Sequence, residues 1–311
     1  MDGTFSIPVK GNRYIDDGGR RQTMVLGDFT GDGNTDIAQL GQDYKQVSIF
    51  AGNEKGVYLG AAALASTTDS PLGPAFLDLE AAGDIAGNGF TDPLFVDASG
   101  AAAYVVSALS NGKGSFTYKT AFALSAVSDL TYVQPLTADF NGDGKQDMLT
   151  AGIKGSLSVA LSNGDGTFHT PVPLTLPSLD CEVNYAATGD LNGDGNVDIV
   201  VTYPNDAACG GSGNKASGYF VALGKGNGTF ATPIFTASGS ELYSVAIVDF
   251  NPDGNLDLIL NDEPFDGSGS FAVDLLTGNG DCTFATGTPS IPTSWSVRSL
   301  RVTTIKTANP T

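Results

Sequence analysis

The sequence predicts an all-β protein, a β-propeller of four-stranded blades, and three observations lead to this prediction. An acidic loop recurs five times, and a glycine-containing turn followed by an aromatic residue recurs in the same register. Two short apolar runs lie between each acidic loop and the next turn, and their length is typical of strands rather than helices. Each repeat therefore supplies four strands, which make one propeller blade.

The five acidic loops, called loops 1 to 5 below, share a nine-residue pattern with aspartate at positions 1 and 9. They read DFTGDGNTD from residue 28, DIAGNGFTD from 84, DFNGDGKQD from 139, DLNGDGNVD from 190 and DFNPDGNLD from 249. Their starts lie about 50 to 60 residues apart, a period that indicates a repeat architecture. Loop 2 is degraded, because alanine stands at position 3 and asparagine at position 5.

The turn and strand pattern indicates how the blades pack. The turns are Gly3-Thr-Phe5, Gly56-Val-Tyr58, Gly114-Ser-Phe116, Gly166-Thr-Phe168, Gly228-Thr-Phe230 and Cys282-Thr-Phe284. We expect their aromatic rings to lie in the core between blades. Central strands such as residues 198–203 are apolar on consecutive residues, which is typical of a sheet covered on both faces.

The blade count is predicted as about six within a single domain, residues 1–311. Partial strands are expected at residues 2–9 and 296–305, and together they would form one composite blade that closes the ring. A truncated seven-bladed ring is the alternative, and the chain would then be part of a longer protein.

Composition excludes several classes of partner. The net charge is −19, from 15 Lys and Arg against 34 Asp and Glu, and such a surface repels nucleic acid and anionic lipid. No apolar stretch approaches the roughly 20 residues of a membrane helix, and no signal peptide opens the chain. We expect a monomer, or part of a longer chain, that binds no nucleic acid and does not insert into membranes.

The acidic loops have the chemistry of calcium sites. Oxygen ligands recur at positions 1, 3, 5 and 9, position 7 offers its carbonyl, and glycine at position 6 permits the sharp turn. With a single histidine in the chain, zinc is a poor candidate. The predicted ligands are Asp28, Thr30, Asp32, Asn34, Asp36, Asp139, Asn141, Asp143, Lys145, Asp147, Asp190, Asn192, Asp194, Asn196, Asp198, Asp249, Asn251, Asp253, Asn255 and Asp257, with a weaker fifth site at Asp84, Asn88 and Asp92.

The alternative is that these aspartates are ordinary turn residues, since Asp, Asn and Gly dominate turns. If each site has a Kd of ~10⁻⁴ M, ~1 mM Ca²⁺ contributes about 1.4 kcal/mol per site. Ions of this affinity would stabilise the fold rather than catalyse, and they would require a calcium-rich compartment. We therefore expect a secreted or cell-surface protein.

These repeats resemble the FG-GAP/VCBS family of integrin α-subunit heads, bacterial surface proteins and some fungal lectins. The phrase Phe-Gly-Gly-Ala-Pro is missing, and only an aromatic-plus-proline echo remains, as in Phe168-His-Thr-Pro171. The bacterial VCBS-like version therefore fits better. The resemblance implies a binding or adhesion module for a glycan or protein ligand, with a propeller-fold polysaccharide lyase or a structural segment of a surface protein as alternatives.

No catalytic constellation is visible, so we expect no enzyme. The lone His169 has no obvious partner and is expected at the surface. Trp295 could stack on a sugar ring, although packing is its simpler role. The insertion at residues 203–218 is either a binding loop or a tolerated one. Cys181 and Cys209 could form a disulfide and leave Cys282 over, or all three cysteines could stay as thiols.

Overall fold

The computed structural model describes residues 24–40, 46–53, 63–66, 78–97, 103–113, 115–124, 135–151, 157–174, 176, 183, 185–203, 217–238, 240–264 and 272–286. These residues form twenty β-strands in five antiparallel sheets of four strands each. No described residue lies in a helix, so no described helix could cross a membrane. The all-β prediction and the four strands per repeat are confirmed.

The first two sheets contain strands β1 to β8. Sheet 1 consists of β1 Met24–Gly27, β2 Asp36–Leu40, β3 Gln46–Phe50 and β4 Ala63–Ser66. Sheet 2 consists of β5 Asp78–Gly83, β6 Asp92–Asp97, β7 Ala103–Ser110 and β8 Phe116–Leu124.

The other three sheets contain strands β9 to β20. Sheet 3 consists of β9 Leu136–Ala138, β10 Asp147–Ala151, β11 Leu157–Ala160 and β12 Val172–Leu174. Sheet 4 consists of β13 Tyr185–Gly189, β14 Asp198–Tyr203, β15 Gly218–Ala222 and β16 Ile234–Ala237. Sheet 5 consists of β17 Ser240–Val248, β18 Asp257–Pro264, β19 Ala272–Gly278 and β20 Phe284–Thr286.

Every sheet is a meander in which strands adjacent in sequence are hydrogen-bonded neighbours. Each acidic loop joins the first strand of its sheet to the second, and the position 9 aspartate is the first residue of that second strand. The register confirms this, because the last residue of the first strand pairs with that aspartate, as in Gly27 with Asp36 and Gly189 with Asp198. Each acidic loop is thus the tip of a hairpin.

The described chain divides into two compact units. Unit 1 comprises residues 1–125 with 165–167, and unit 2 comprises residues 126–164 with 168–311. Sheets 1 and 2 lie in unit 1, whereas sheets 3, 4 and 5 lie in unit 2. The prediction of a single domain stays a prediction.

Within unit 2, the central strand β14 packs against both neighbouring sheets because its side chains alternate. Ile199, Val201 and Tyr203 belong to a cluster shared with sheet 3, whereas Val200 belongs to a cluster shared with sheet 5. All six residues of β14 are buried. Consecutive apolar residues therefore cover two faces, as the sequence pattern predicted.

Within unit 1, sheets 1 and 2 share one apolar cluster. Val25, Phe29 and Ile49 of the first repeat pack with Leu79 and Phe95 of the second. The strand β1 shows the alternation of a sheet with one covered face, because Val25 is buried while Met24 and Leu26 on either side are 59% and 41% exposed. The cores of both units are thus formed between consecutive sheets.

The turn aromatics Phe230 and Phe284 lie between sheets, as expected, whereas Phe5 and Tyr58 lie outside the described residues. The ring of Phe230 in the turn before β16 meets Phe140 of loop 3 edge to face, at a centroid distance of 5.6 Å. The ring of Phe284 in β20 meets Tyr219 of β15 at 6.1 Å. Such edge-to-face pairs add about 0.5 to 1.5 kcal/mol each beyond the burial of their surface.

Candidate metal centre

Each acidic loop is folded by its own aspartate at position 1. In loop 1, Asp28 Oδ1 accepts hydrogen bonds from the amides of Gly31 and Asp32, at 2.7 and 3.2 Å, and Oδ2 accepts one from Gly33 at 2.8 Å. Asp139 accepts all three equivalent bonds in loop 3, and Asp84, Asp190 and Asp249 accept those from positions 5 and 6. Position 6 has positive φ in every loop, for example +82° at Gly33, which accounts for its glycine.

Positions 3 and 5 stabilise the tip of the loop. In loop 4, Asp194 Oδ1 accepts the amide of Asn196 at 2.8 Å, and Asn192 donates its side-chain amide to Asp194 Oδ2 at 3.0 Å. Asn251 and Asp253 repeat the side-chain bond in loop 5 at 2.9 Å. These bonds lie at the exposed surface, so their oxygens are open to solvent and to cations.

The aspartate at position 9 has a different environment, because it is buried in all five loops. Asp36, Asp92, Asp147 and Asp198 are 0% exposed and Asp257 is 2% exposed. One carboxylate oxygen accepts an amide at the start of the loop, and the other accepts the amide of the residue at the end of the third strand or just after it. In loop 3 these donors are Phe140 at 2.9 Å and Ser162 at 2.8 Å.

Sequence reasoning missed the donors of that second bond. They are Gly52, Ser110, Ser162, Gly224 and Gly278, which donate to position 9 over distances of 2.7 to 2.9 Å. Their signal was present, since in every repeat a small Gly or Ser precedes an Asn or Lys at this point. Position 9 therefore ties the first hairpin to the third strand.

Loop 2 is shaped by packing as well as by hydrogen bonds. A Cβ at Gly31 of loop 1 would lie 2.6 Å from the ring of Phe90, which occupies position 7 of loop 2. The Thr91 amide donates to Asp28 O at 3.0 Å, and the Asp28 amide donates to Thr91 Oγ1 at 2.9 Å. Loop 2 thus supports loop 1 through Phe90 and Thr91.

Loop 3 is distinguished by an ion pair. Lys145, at position 7, places its Nζ 2.9 Å from Asp143 Oδ2. This hydrogen bond raises the pKa of Lys145, and the charges of Asp143, Asp147 and Asp139 add to the effect. The ammonium group is therefore close enough to interact with every carboxylate of its loop.

The carboxylates of a loop also interact with one another. Burial raises the pKa of Asp147 to about 6, and the charges of Asp139 and Asp143 reinforce that rise. Burial likewise raises the pKa of Asp92 to about 6, with a contribution from Asp84, and raises that of Asp198. Mutual repulsion of this kind favours either a proton or a bound cation.

The donor set of the loops suits calcium in chemistry, and one oxygen lacks a protein partner. Thr30 Oγ1, at position 3 of loop 1, is buried and has no hydrogen-bond partner in the structure. Within the described residues, no three His, Cys, Asp or Glu side chains converge as a metal-binding group. In loop 1, for example, the carboxylates of Asp28 and Asp36 both accept main-chain amides.

A groove of about 320 Å³ lies in unit 2, between sheet 3 and the turn before β16. Its lining has no charged side chain and consists of Val159, Val172, Pro173, Leu174, Gly228, Thr229, Phe230, Ala231, Thr232 and Pro233.

The remaining residues singled out from the sequence have mixed outcomes. His169 is exposed, as expected. Cys282 is a free thiol whose pKa is raised to about 12, chiefly by burial and then by Asp198. The cysteines at 181 and 209, Trp295, most of the insertion at residues 203–218 and the partial strands at 2–9 and 296–305 lie outside the described residues.

The role of position 9 can be tested in loop 2, where the calcium ligands are poorest. Replacing Asp92 with alanine leaves the half-buried amide of Ala86 and the buried amide of Ser110 without acceptors, at about 1 to 3 kcal/mol each. We expect Asp92→Ala to lower the free energy of unfolding by at least about 2 kcal/mol in chelator. The control Asp84→Ala removes a more exposed carboxylate from the same loop. An equal loss of stability in both variants would contradict a special structural role for position 9.

The raised pKa values predict how the metal-free protein responds to pH. Asp92 and Asp147 bind protons more tightly when folded than when unfolded, since their folded pKa of about 6 exceeds the usual 3.8. Their stabilising contribution is complete below about pH 4 and is lost as the pH rises through about 6. In chelator, we expect the thermal midpoint to fall between pH 5 and pH 7. A midpoint that rises over this interval would show that these two carboxyl groups do not dominate the pH dependence of stability.

Comparison with solved structures shows likeness in fold to a lectin. The BP39L lectin from Burkholderia pseudomallei aligns over 87% of this chain and 70% of the lectin, with 17% identity and a TM-score of 0.53. The V. cholerae biofilm matrix protein Bap1 aligns over 83% of this chain and 37% of its own, with 14% identity and a TM-score of 0.40. Rhamnogalacturonan lyase YesW aligns over 88% and 48%, with 15% identity and a TM-score of 0.45. No curated protein matches in sequence.

Comparison with protein families identifies the repeat. Residues 84–150 and 139–201 both match the FG-GAP-like repeat, and each match begins at an acidic loop and extends past the next one. The VCBS-like version of that repeat stays a prediction. Residues 84–201 therefore contain tandem FG-GAP-like repeats, and the strands described within them form the four-stranded antiparallel sheets that the acidic loops predicted.

Proposed function

We propose that this protein is an extracellular, calcium-stabilised binding module whose ligand is a glycan or a protein. The observation that carries the calcium proposal is the geometry of loops 1, 3, 4 and 5. In each, a half-buried carboxylate at position 1 and an exposed one at position 5 belong to a tip that main-chain hydrogen bonds hold in shape, and a buried carboxylate follows at position 9. A cation would offset their mutual repulsion.

In loop 1, calcium would be held by side-chain oxygens of Asp28, Thr30, Asp32 and Asp36 together with the carbonyl of Asn34. All are hard oxygen ligands of the kind that Ca²⁺ prefers. The unpartnered Thr30 Oγ1 supports the assignment, because a buried hydroxyl without a partner costs free energy that a bound cation would offset. The bound ion supplies structural cohesion and positive charge rather than reactivity.

The binding role rests on the type of fold and on the charge of the chain. The lectin from Burkholderia pseudomallei shares the fold, which presents many loops on a rigid frame suited to ligand contacts. A net charge of −19 makes an acidic polysaccharide a poor substrate, and the groove in unit 2 has no charged lining residue. A neutral glycan or a protein surface is therefore the favoured ligand over a lyase substrate.

We also propose that the five sheets are blades of a propeller of about six blades. The residue at position 2 of a loop is covered by the following sheet where one is described, as Phe29, Phe140 and Leu191 show with at most 3% exposure. In loop 5 the equivalent Phe250 is 58% exposed. By analogy with the other loops, we expect a further sheet to cover Phe250 and pack against sheet 5.

Calcium dependence is tested by the thermal midpoint in 1 mM Ca²⁺, in chelator and in Mg²⁺. Four sites of ~10⁻⁴ M affinity would together contribute about 5 to 6 kcal/mol, so we expect a rise of several degrees with Ca²⁺ and little with Mg²⁺. The double variant Asp190→Asn with Asp194→Asn should lose about a quarter of the rise. Asp281→Asn, outside every acidic loop, should keep all of it. An equal midpoint in Ca²⁺ and chelator would overturn the calcium proposal.

The ligand class is tested by a screen against arrays of neutral and acidic glycans and of extracellular proteins, run beside an assay for unsaturated lyase products. Saturable binding without product formation supports the module. Product formation would replace it with the lyase alternative.

The further blade is tested by replacing Phe250 with serine. If another sheet covers this side chain, the variant should lose about 3 to 5 kcal/mol of stability, the cost of truncating a buried aromatic. Val172→Ser is the control, because Val172 is 56% exposed on the outer strand β12 and should change stability by less than about 0.5 kcal/mol. Equal, small effects of both variants would leave sheet 5 as the end of an open array.

A further inference from the structure

Loop 3 differs from the other acidic loops in having a positive charge of its own. Position 7 is asparagine in loops 1, 4 and 5, at Asn34, Asn196 and Asn255, but it is Lys145 in loop 3. The side chain folds back onto its own loop. Its Nζ lies 2.9 Å from Asp143 Oδ2, and the two side chains are only 30% and 34% exposed.

The contact involves the position 5 carboxylate, which is one of the oxygens a cation in this loop would need. The same carboxylate accepts the Lys145 main-chain amide through Oδ1 at 2.9 Å. In loops 4 and 5, Oδ2 of the equivalent aspartate accepts a neutral asparagine amide from position 3, at 3.0 and 2.9 Å. In loop 3 the position 3 side chain, Asn141, also hydrogen-bonds to Asp143, and Lys145 adds an ammonium group at the same carboxylate.

We propose that Lys145 is a built-in cation of loop 3, which keeps this loop folded without calcium and makes it bind calcium more weakly than loops 1, 4 and 5. The inference rests on the proposed function, since it ranks the calcium affinities of the sites proposed there. Its physical basis is Coulombic. An ammonium group beside the carboxylates attracts them in the absence of Ca²⁺, and it repels a divalent ion that approaches the same oxygens.

The size of the effect follows from the charges. Repulsion between one positive and one divalent charge a few ångströms apart in a solvated loop weakens binding by about five- to tenfold once salt screening is included. The same ion pair adds little to global stability, because exposed pairs rarely do. Lys145 therefore acts on the affinity of one site, and a global midpoint would not reveal it.

The test is hydrogen exchange by mass spectrometry on the full chain over a calcium titration, with one peptide for each loop. In chelator, we expect loop 3 to be more protected than loops 1, 4 and 5, and its half-maximal gain of protection to need about five- to tenfold more Ca²⁺. Lys145→Asn should abolish both differences. Asn255→Lys should transfer them to loop 5.

Lys119→Asn is the control, because it removes the same charge from strand β8, outside every acidic loop. The inference is overturned if loop 3 titrates with loops 4 and 5 and Lys145→Asn changes nothing. It is also overturned if Lys119→Asn shifts loop 3 equally, since the effect would then be one of net charge. If loops 1, 4 and 5 gain no protection with calcium, the proposed function itself fails, and this outcome is distinct from the other two.

Discussion

The repeat depends on a buried carboxylate at the start of the second strand of every sheet. Asp36 and its four equivalents accept main-chain amides from the beginning of the loop and from the end of the third strand. Burial of a charged group is costly unless hydrogen bonds replace its hydration, and here several amides do so. Because these donors belong to separate segments, a single side chain sets the spacing of three strands and the entry to the loop.

This arrangement separates two roles within one acidic motif. The inner aspartate supports the fold, whereas the outer aspartates at positions 1 and 5 shape an exposed tip. Loop 2 illustrates the separation, because it keeps Asp92 with its bonds while Asn88 replaces the outer acid at position 5. The repeated acids are therefore explained in part by main-chain hydrogen bonding, and a proposed calcium ion would take most of its oxygen ligands from the tip of the loop.

The exposed tips of the individual loops are stabilised by different contacts. In loop 2, Phe90 packs against Gly31, so apolar contact and the bonds of Thr91 support the neighbouring loop. In loop 3, Lys145 brings a positive charge to Asp143. Loops 1, 4 and 5 have asparagine at this position and no charge of their own to offset the carboxylates. A fold with identical hairpins can thus have tips of unequal affinity for cations.

The sequence by itself determined the strands, their order and the place of the loops, because short apolar runs, tight turns and a repeat of fixed register are local properties. The central strand expected at residues 198–203 is observed as Asp198–Tyr203. Only the tertiary structure decided that position 9 is buried, that Ser162 and its equivalents are its partners, and that Lys145 contacts Asp143. These facts depend on which segments meet across a sheet and on how far burial desolvates a carboxylate. Neither quantity is encoded in a nine-residue pattern.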